Sequence, residues 1–156
     1  MQKNDNWLPV VIGAGLITGL VLLFRKSGTM SNKLSPNFDW KEFESKDGAP
    51  MPDWVKDNVK NLVKNLEVIR AAAGAPMRIN SGYRSPDHNT SIGGAKNSFH
   101  MKGMAADFTI KGQTIPETIA LIEKLISQGK ISKGGLGTYR TFVHYDIQGK
   151  NRRWNG

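Results

Sequence analysis

The chain has 156 residues, a formal net charge of +9 and no cysteine. This length is enough for one domain with a sizeable core, and the lack of cysteine excludes disulfide bonds and thiolate metal ligands. The positive charge favours a polyanionic partner, which includes nucleic acid, anionic lipid and the acidic polymers of a bacterial wall. Because no long Lys/Arg run and no nucleic-acid-binding motif accompany the charge, a nucleic-acid partner is disfavoured.

One long apolar segment lies near the N-terminus. Residues 7–24 carry no charge, begin with a tryptophan and are followed by Arg25 and Lys26. About 20 apolar residues cross the hydrocarbon core of a bilayer, and tryptophan and basic residues are typical anchors at its surfaces. A cleaved signal peptide is the alternative, but no A-x-A cleavage site follows the segment. We expect an N-terminal tail at residues 1–6, one transmembrane anchor at residues 7–24 and a polar linker at residues 25–35.

A glycine pattern occurs inside this apolar segment. Gly15 and Gly19 form a G-x-x-x-G match, a spacing that lets two membrane helices approach closely. A homo-oligomer formed through these glycines is therefore a hypothesis. Its alternative is that glycine is simply common in membrane helices.

Residues 36–156 have the pattern of a soluble domain. Apolar residues recur at helical spacing in two segments, and short strand candidates lie between and after them. Few strands and separated helices indicate an α+β fold, with a small antiparallel sheet and flanking helices. Trp40 and Trp54 flank or open helical segments, so we expect both to pack in the core. The predicted helices span residues 53–73 and 115–128, and the predicted strands span residues 77–81, 105–110, 135–139 and 141–147.

Two of the three histidines lie in segments that also contain aspartate. His100 precedes Asp107 by seven residues, and His144 lies in the segment F-V-H-Y-D that ends at Asp146. Alternation along a strand places His144 and Asp146 on the same face. Two neutral imidazoles, one carboxylate and an open fourth position are typical of a catalytic zinc site, which activates water for hydrolysis. The residues therefore indicate a metal-dependent hydrolase. The alternative is a loop histidine at 100 and a buried, hydrogen-bonded histidine at 144.

Four motifs follow one another along the soluble domain. They are G-Y-R-S-P ending at Pro86, S-x-H-x-x-G-x-A-x-D from Ser98 to Asp107, F-V-H-Y-D ending at Asp146, and a closing Arg-Trp pair at 153–154. In this order they resemble the zinc D-Ala-D-Ala carboxypeptidase family of peptidoglycan peptidases, over roughly residues 36–154. Members of that family have a hedgehog-like α+β fold, so the resemblance implies the same fold here.

The resemblance also implies roles for particular residues. His100, Asp107 and His144 would be the ligands of Zn²⁺. Arg84 would face the substrate, where its planar fork would bind a carboxylate or polarise the scissile carbonyl. Ser98 is a further substrate-side candidate, and its alternative role is a hydrogen bond to the backbone of its own motif.

One position departs from the family pattern. Many relatives have an acidic residue three positions before the last histidine, where it acts as general base, and this chain has Thr141 there. Asp146 is the nearest carboxylate on the face of His144. It would act either as the base or as a partner that orients a metal ligand, and both roles stay open.

The sequence thus predicts a membrane-anchored zinc metallopeptidase that hydrolyses peptide bonds in bacterial peptidoglycan, as a DD-carboxypeptidase or an endopeptidase. Its size, charge and anchor suit a phage-encoded lytic or virion-associated enzyme as well as a bacterial one. The domain would face the cell wall from the inner membrane or a virion membrane, although Arg25 and Lys26 favour a cytoplasmic location for it. One rival is a catalytically weak, zinc-containing wall-binding or structural protein, which Thr141 favours. A membrane-tethered nucleic-acid binder is the other.

Overall fold

The structure is a computed structural model that describes residues 32–156. The predicted tail, the anchor with Gly15 and Gly19, and most of the linker lie outside the described residues. Within residues 32–156, no helix combines the length and the apolar composition that crossing a membrane requires. The anchor at residues 7–24 therefore stays a prediction.

Between residues 32 and 156 the chain forms three α-helices, two 3-10 helices and one five-stranded sheet, which confirms the α+β class. The α-helices are α1 (Asp53–Ala73), α2 (Pro86–Ser91) and α3 (Ile115–Ser127), and the 3-10 helices are Trp40–Phe43 and Phe99–Lys102. The strands are β1 (Met77–Ser81), β2 (Ala105–Ile110), β3 (Gly135–Thr138), β4 (Val143–Asp146) and β5 (Arg152–Asn155). Both predicted helices and all four predicted strands are present, with α3 and the last two of those strands slightly shorter than expected.

The sheet has the strand order β1-β2-β4-β3-β5. Four strands pair antiparallel, but β5 runs parallel to β3, so the prediction of an antiparallel sheet is wrong at this edge. The reason is the short connection from β4 to β5. The end of β4 lies beside the start of β3. The loop that follows β4 crosses to the other side of β3, where Arg152 pairs with Gly135 at the start of that strand. Strand β5 therefore runs in the same direction as β3.

The core lies between one face of the sheet and the helices α1 and α3. In α1, buried apolar residues recur every three or four positions from Val55 to Ile69, and Gly74 ends the helix in the left-handed conformation with φ 63°. Phe108, Val143 and Tyr145 contribute fully buried side chains from the sheet. Burying each such side chain stabilises the fold by roughly 1.5–3 kcal/mol. Because strand residues alternate in direction, the neighbours of these core residues in β2 and β4 point to the opposite face.

The two tryptophans expected in the core differ in their burial. Trp40 is partly buried and packs against the core cluster, as expected. Trp54 is 59% exposed, so the prediction for it is wrong. Its position in α1 explains this, since residues 54, 58, 61 and 65 share one helix face and the last three are asparagines.

Candidate metal centre and cleft

The pairing of β2 with β4 brings two of the predicted ligands together. Asp107 of β2 lies directly opposite His144 of β4 in the register, on the face of the sheet away from the core. Their side chains are directed there because their neighbours, including Ala106 and Tyr145, belong to the buried core.

The third predicted ligand reaches the same face from a short 3-10 helix. Ser98 caps this helix by accepting a hydrogen bond from the backbone N–H of His100 at 3.3 Å. Gly103 then ends it with φ 66°, and a Cβ atom at this position would lie 2.7 Å from Val55 Cγ1. The left-handed conformation and the close approach to α1 both require glycine. This turn leads the chain from His100 directly into β2.

Three donor atoms converge at this point. Asp107 Oδ1 lies 3.2 Å from His100 Nε2 and 2.8 Å from His144 Nδ1, and the two ring nitrogens are 3.1 Å apart. All three residues are buried. Ligands bound tetrahedrally to Zn²⁺ at about 2.0–2.1 Å would be roughly 3.3 Å from one another. The spacing of the three atoms therefore fits a single metal ion.

The far sides of the two imidazole rings have acceptors. His100 Nδ1 donates to the carbonyl oxygen of Gly82 at 2.7 Å, and His144 Nε2 lies 3.5 Å from Asp146 Oδ2. With the ring protons on these outer nitrogens, the inner nitrogens present lone pairs to Asp107 Oδ1. Three such acceptors facing one another suit a cation, and an acceptor on the outer ring nitrogen is a usual partner of metal-binding histidine.

The pKa values of the three groups reflect burial and their mutual contacts. Burial lowers the pKa of His100. Burial alone would raise the pKa of Asp107, but its contacts with the imidazole rings of His100 and His144, which favour the ionised carboxylate, lower the pKa well below its ordinary value. For His144, burial acts to lower the pKa, and the contacts with Asp107 and Asp146 raise it above its ordinary value. A cation at the three donor atoms would replace the proton that this cluster attracts.

Asp146 is fully buried, and both of its carboxylate oxygens have partners. Oδ1 accepts hydrogen bonds from the backbone N–H groups of Gly135 at 2.9 Å and Gln148 at 3.2 Å. Oδ2 accepts from Arg152 Nη2 at 2.9 Å and faces His144 Nε2. Although burial acts to raise the pKa of Asp146, its contacts with His144 and with the two backbone N–H groups lower that pKa. The carboxylate is thus ionised and directed at the outer nitrogen of His144.

Arg84 and Ser98 both line the cleft beside the donor atoms. Arg84 Nη2 donates to Asp107 Oδ2 at 2.5 Å and its Nε donates to Ser81 Oγ at 2.9 Å, with only 16% of the side chain exposed. The guanidinium therefore binds Oδ2 of Asp107, and Oδ1 remains directed at the two inner ring nitrogens. Thr141 is exposed in the turn before β4 and does not belong to the cleft lining.

The donor atoms lie in an open cleft of about 500 Å³. Its lining also includes Phe99, Tyr139, Arg152 and Trp154, of which the sequence motifs contained only Trp154. The Trp154 ring lies 5.2 Å from the His144 ring, and its Nε1 donates to the Tyr139 hydroxyl at 3.1 Å. The sequence did contain one signal for this pair. Arg152 and Trp154 are two residues apart, so their side chains lie on the same face if the segment is a strand.

Comparisons with known proteins identify the family of the chain. Residues 36–146 match the model of the family Peptidase M15. Over 99 residues the chain is 36% identical to the probable peptidoglycan L,D-endopeptidase MepK of Haemophilus influenzae, covering 59% of this chain and 50% of that protein. Over 134 residues it is 31% identical to the peptidoglycan L,D-endopeptidase MepK of Escherichia coli K12, covering 75% of this chain and 70% of that protein. The chain thus spans half of the length of the first relative and more of the second.

Proposed function

Because this chain belongs to the peptidase M15 family, as its motifs predicted, we propose that it is a metal-dependent endopeptidase that hydrolyses peptide bonds in bacterial peptidoglycan. The observation that carries the proposal is the convergence of His100, Asp107 and His144, whose donor atoms lie within 3.2 Å of one another in an open cleft. The similar MepK proteins are peptidoglycan L,D-endopeptidases by name, which favours an endopeptidase over a carboxypeptidase.

The three donors would hold Zn²⁺, which when bound polarises a carbonyl group and makes water a better nucleophile. The chain's own residues prepare the donors for this. Arg84 binds Asp107 Oδ2, so the carboxylate presents Oδ1 to the metal position. Gly82 binds the outer nitrogen of His100 and sets the tautomer of that ring. Because both contacts already fix the side chains, Asp107 and His100 would lose less conformational entropy on binding a cation.

Between the two roles considered for Asp146, the contacts favour a positioning role. Its oxygens are engaged by two backbone N–H groups, by Arg152 and by the outer side of the His144 ring. A general base needs a lone pair within reach of the attacking water. We propose that Asp146 orients His144 and supports its basicity as a ligand.

Digestion of purified peptidoglycan by the full-length chain tests this function, with product masses identifying the bond. We expect fragments to be released with Zn²⁺, to disappear after chelation and to be lost in His144→Ala. His88→Ala is the matched control, because His88 lies on α2 outside the three donors, and it should release the same fragments. Release that is insensitive to chelation would contradict the proposal.

A catalytically weak, wall-binding or structural zinc protein is the second candidate. The observation that favours it is Thr141, which stands where many relatives have an acidic base and lies exposed outside the cleft. Peptidoglycan left intact by a protein that binds one zinc ion per chain would support this candidate. A gain of hydrolysis in Thr141→Asp would strengthen it further.

We also propose that residues 7–24 anchor the chain in a membrane, with the peptidase domain facing the cell wall. The apolar segment and its basic flank support an anchor, whereas the wall-facing side follows from the proposed substrate. The membrane would be the bacterial inner membrane or, for a phage-encoded enzyme, that of a virion. Protease treatment of intact spheroplasts should degrade the domain, and cross-linking with a Gly15→Leu/Gly19→Leu variant tests the proposed homo-oligomer.

A further inference from the structure

Arg152 places a partly exposed positive charge in the wall of the cleft. Its side chain is 48% exposed, and its Nη2 is held 2.9 Å from Asp146 Oδ2. The guanidinium carbon lies 5.3 Å from the centre of the Phe99 ring and 5.5 Å from that of the Trp154 ring. One hydrogen bond and two aromatic rings therefore fix the orientation of a long side chain that would otherwise be mobile.

The donors of Arg152 differ from those of Arg84. Arg84 has Nε and Nη2 engaged by Ser81 and Asp107, and most of its side chain is buried. In Arg152, among residues 32–156, the single side-chain hydrogen bond is the one from Nη2 to Asp146. Since a guanidinium has five N–H donors, Arg152 has several left for a ligand. Of the two arginines in the cleft, Arg152 is the better placed to bind an incoming anion.

A second cation contacts the Phe99 ring. Lys102 Nζ is 5.2 Å from the centre of the same Phe99 ring, at the exposed end of the 3-10 helix that carries His100. Two cations thus lie near one aromatic ring of the cleft lining, Arg152 within that lining and Lys102 outside it. Together they favour a negatively charged group in the cleft and disfavour a cationic one.

We propose that Arg152 binds a free carboxylate of the substrate peptide near the scissile bond, and so selects acidic peptides over amidated ones. This inference rests on the proposed peptidase function. Asp146 bridges Arg152 and His144, so the guanidinium lies close to the metal donors. At about 3.3–3.6 Å per residue, a carboxylate one or two residues from the scissile bond would reach it. A planar guanidinium binds a carboxylate through two parallel hydrogen bonds, which a carboxamide cannot match.

The test compares two cross-linked muropeptide dimers that differ only in whether their carboxyl groups are free or amidated. We expect the wild-type, zinc-loaded full-length chain to have a kcat/KM about tenfold or more higher for the free acid, mainly through KM. Arg152→Gln should remove this preference, and Arg152→Lys should keep part of it because it retains the charge. Arg78→Gln, at an exposed position of the edge strand β1, is the matched control and should keep the full preference.

The comparison of two substrates separates recognition from positioning. If Arg152 acts only by holding Asp146, Arg152→Gln will reduce cleavage of both dimers by the same factor, and the inference is overturned. Equal cleavage of both dimers by the wild type would overturn it as well, while leaving the peptidase function intact. If neither dimer is cleaved, the peptidase function fails. Calorimetric titration of the metal-free chain with each dimer then decides whether Arg152 recognises the carboxylate. If it does, the wild type will bind the free-acid dimer more tightly than the amidated dimer, and Arg152→Gln will bind both equally.

Discussion

Replacing Asp146 with asparagine should weaken both the fold and the metal site, because Asp146 connects them. The asparagine oxygen can still accept hydrogen bonds from Gly135 and Gln148. Its amide nitrogen, however, would replace Oδ2, which now lies 2.9 Å from Arg152 Nη2 and 3.5 Å from His144 Nε2. Donors would then face donors, and the ring of His144 would lose the acceptor that sets its tautomer.

The size of the effect follows from the burial of these groups. A hydrogen bond to a charged group contributes about 1.5–3 kcal/mol, and a buried donor without a partner costs about 1–3 kcal/mol. Because Arg152 is 48% exposed, water can replace part of its lost hydrogen bond to Asp146. The contribution of that hydrogen bond is therefore smaller than for a fully buried pair. We expect the free energy of unfolding to fall by about 2 kcal/mol. Loss of such a partner of a metal-binding histidine lowers metal affinity by about 10–100-fold.

Two measurements check this prediction. Urea unfolding of the metal-free chain gives the free energy of unfolding, and competition with a chromophoric chelator gives the zinc affinity. Asp57→Asn is the matched control, since Asp57 is 74% exposed on α1 and its replacement should change stability by less than about 0.5 kcal/mol. If Asp146→Asn keeps wild-type stability and zinc affinity but loses hydrolysis, the positioning role is refuted and Asp146 is the base.

Three further substitutions test the packing and the electrostatics of the domain. Leu62→Ala should lower the free energy of unfolding by about 2–5 kcal/mol because Leu62 is fully buried. Its control, Trp54→Ala at an exposed position, should change that free energy little. Similar losses for the two variants in urea unfolding would contradict the packing described. The pKa of Asp47 is lowered from 3.8 to about 2, mainly by hydrogen bonds with neighbouring serine side chains. Its stabilising contribution is therefore present above about pH 4 and lost as the pH falls to 2. The urea midpoint of Asp47→Asn should lie below that of the wild type at pH 6 and converge with it near pH 2, and a constant gap would count against this pKa. Gly137→Ala would place a Cβ atom 2.6 Å from the Trp154 ring and should destabilise the chain by about 1–3 kcal/mol. That loss should largely vanish in a Trp154→Ala background, and its persistence there would show that the ring is not the cause.

The elements with a strong local signal could be predicted from the sequence. Helix α1 has a continuous apolar stripe and a glycine at its end, so its observed bounds agree with the prediction. Strand β2 is apolar on both sides of Asp107, and the S-x-H-x-x-G-x-A-x-D motif placed His100 and Asp107 in one turn-and-strand unit. The donor set could therefore be inferred before the distances between its atoms were known.

The elements that depend on long-range pairing could not be predicted. Strand β5 has the sequence R-R-W-N, which lacks an apolar alternation, and it exists because its backbone pairs with β3. The role of Arg152 depends in turn on that pairing, on Asp146 and on Phe99, which is 53 residues away in the chain. The exposure of Trp54 depended on which helix face meets the sheet, and one tryptophan next to the apolar stripe is not enough to decide this.

Strand β5 lies at one edge of the sheet and pairs with β3 alone, and its side chains are mostly exposed. The pairing of β2 with β4, which brings Asp107 and His144 together, does not involve β5. Elements with few buried contacts open locally at a lower free energy than the core. Local detachment of β5 would remove Arg152 and Trp154 from the cleft while the metal donors stay in place. Mild denaturant should therefore abolish substrate selection before it abolishes metal binding.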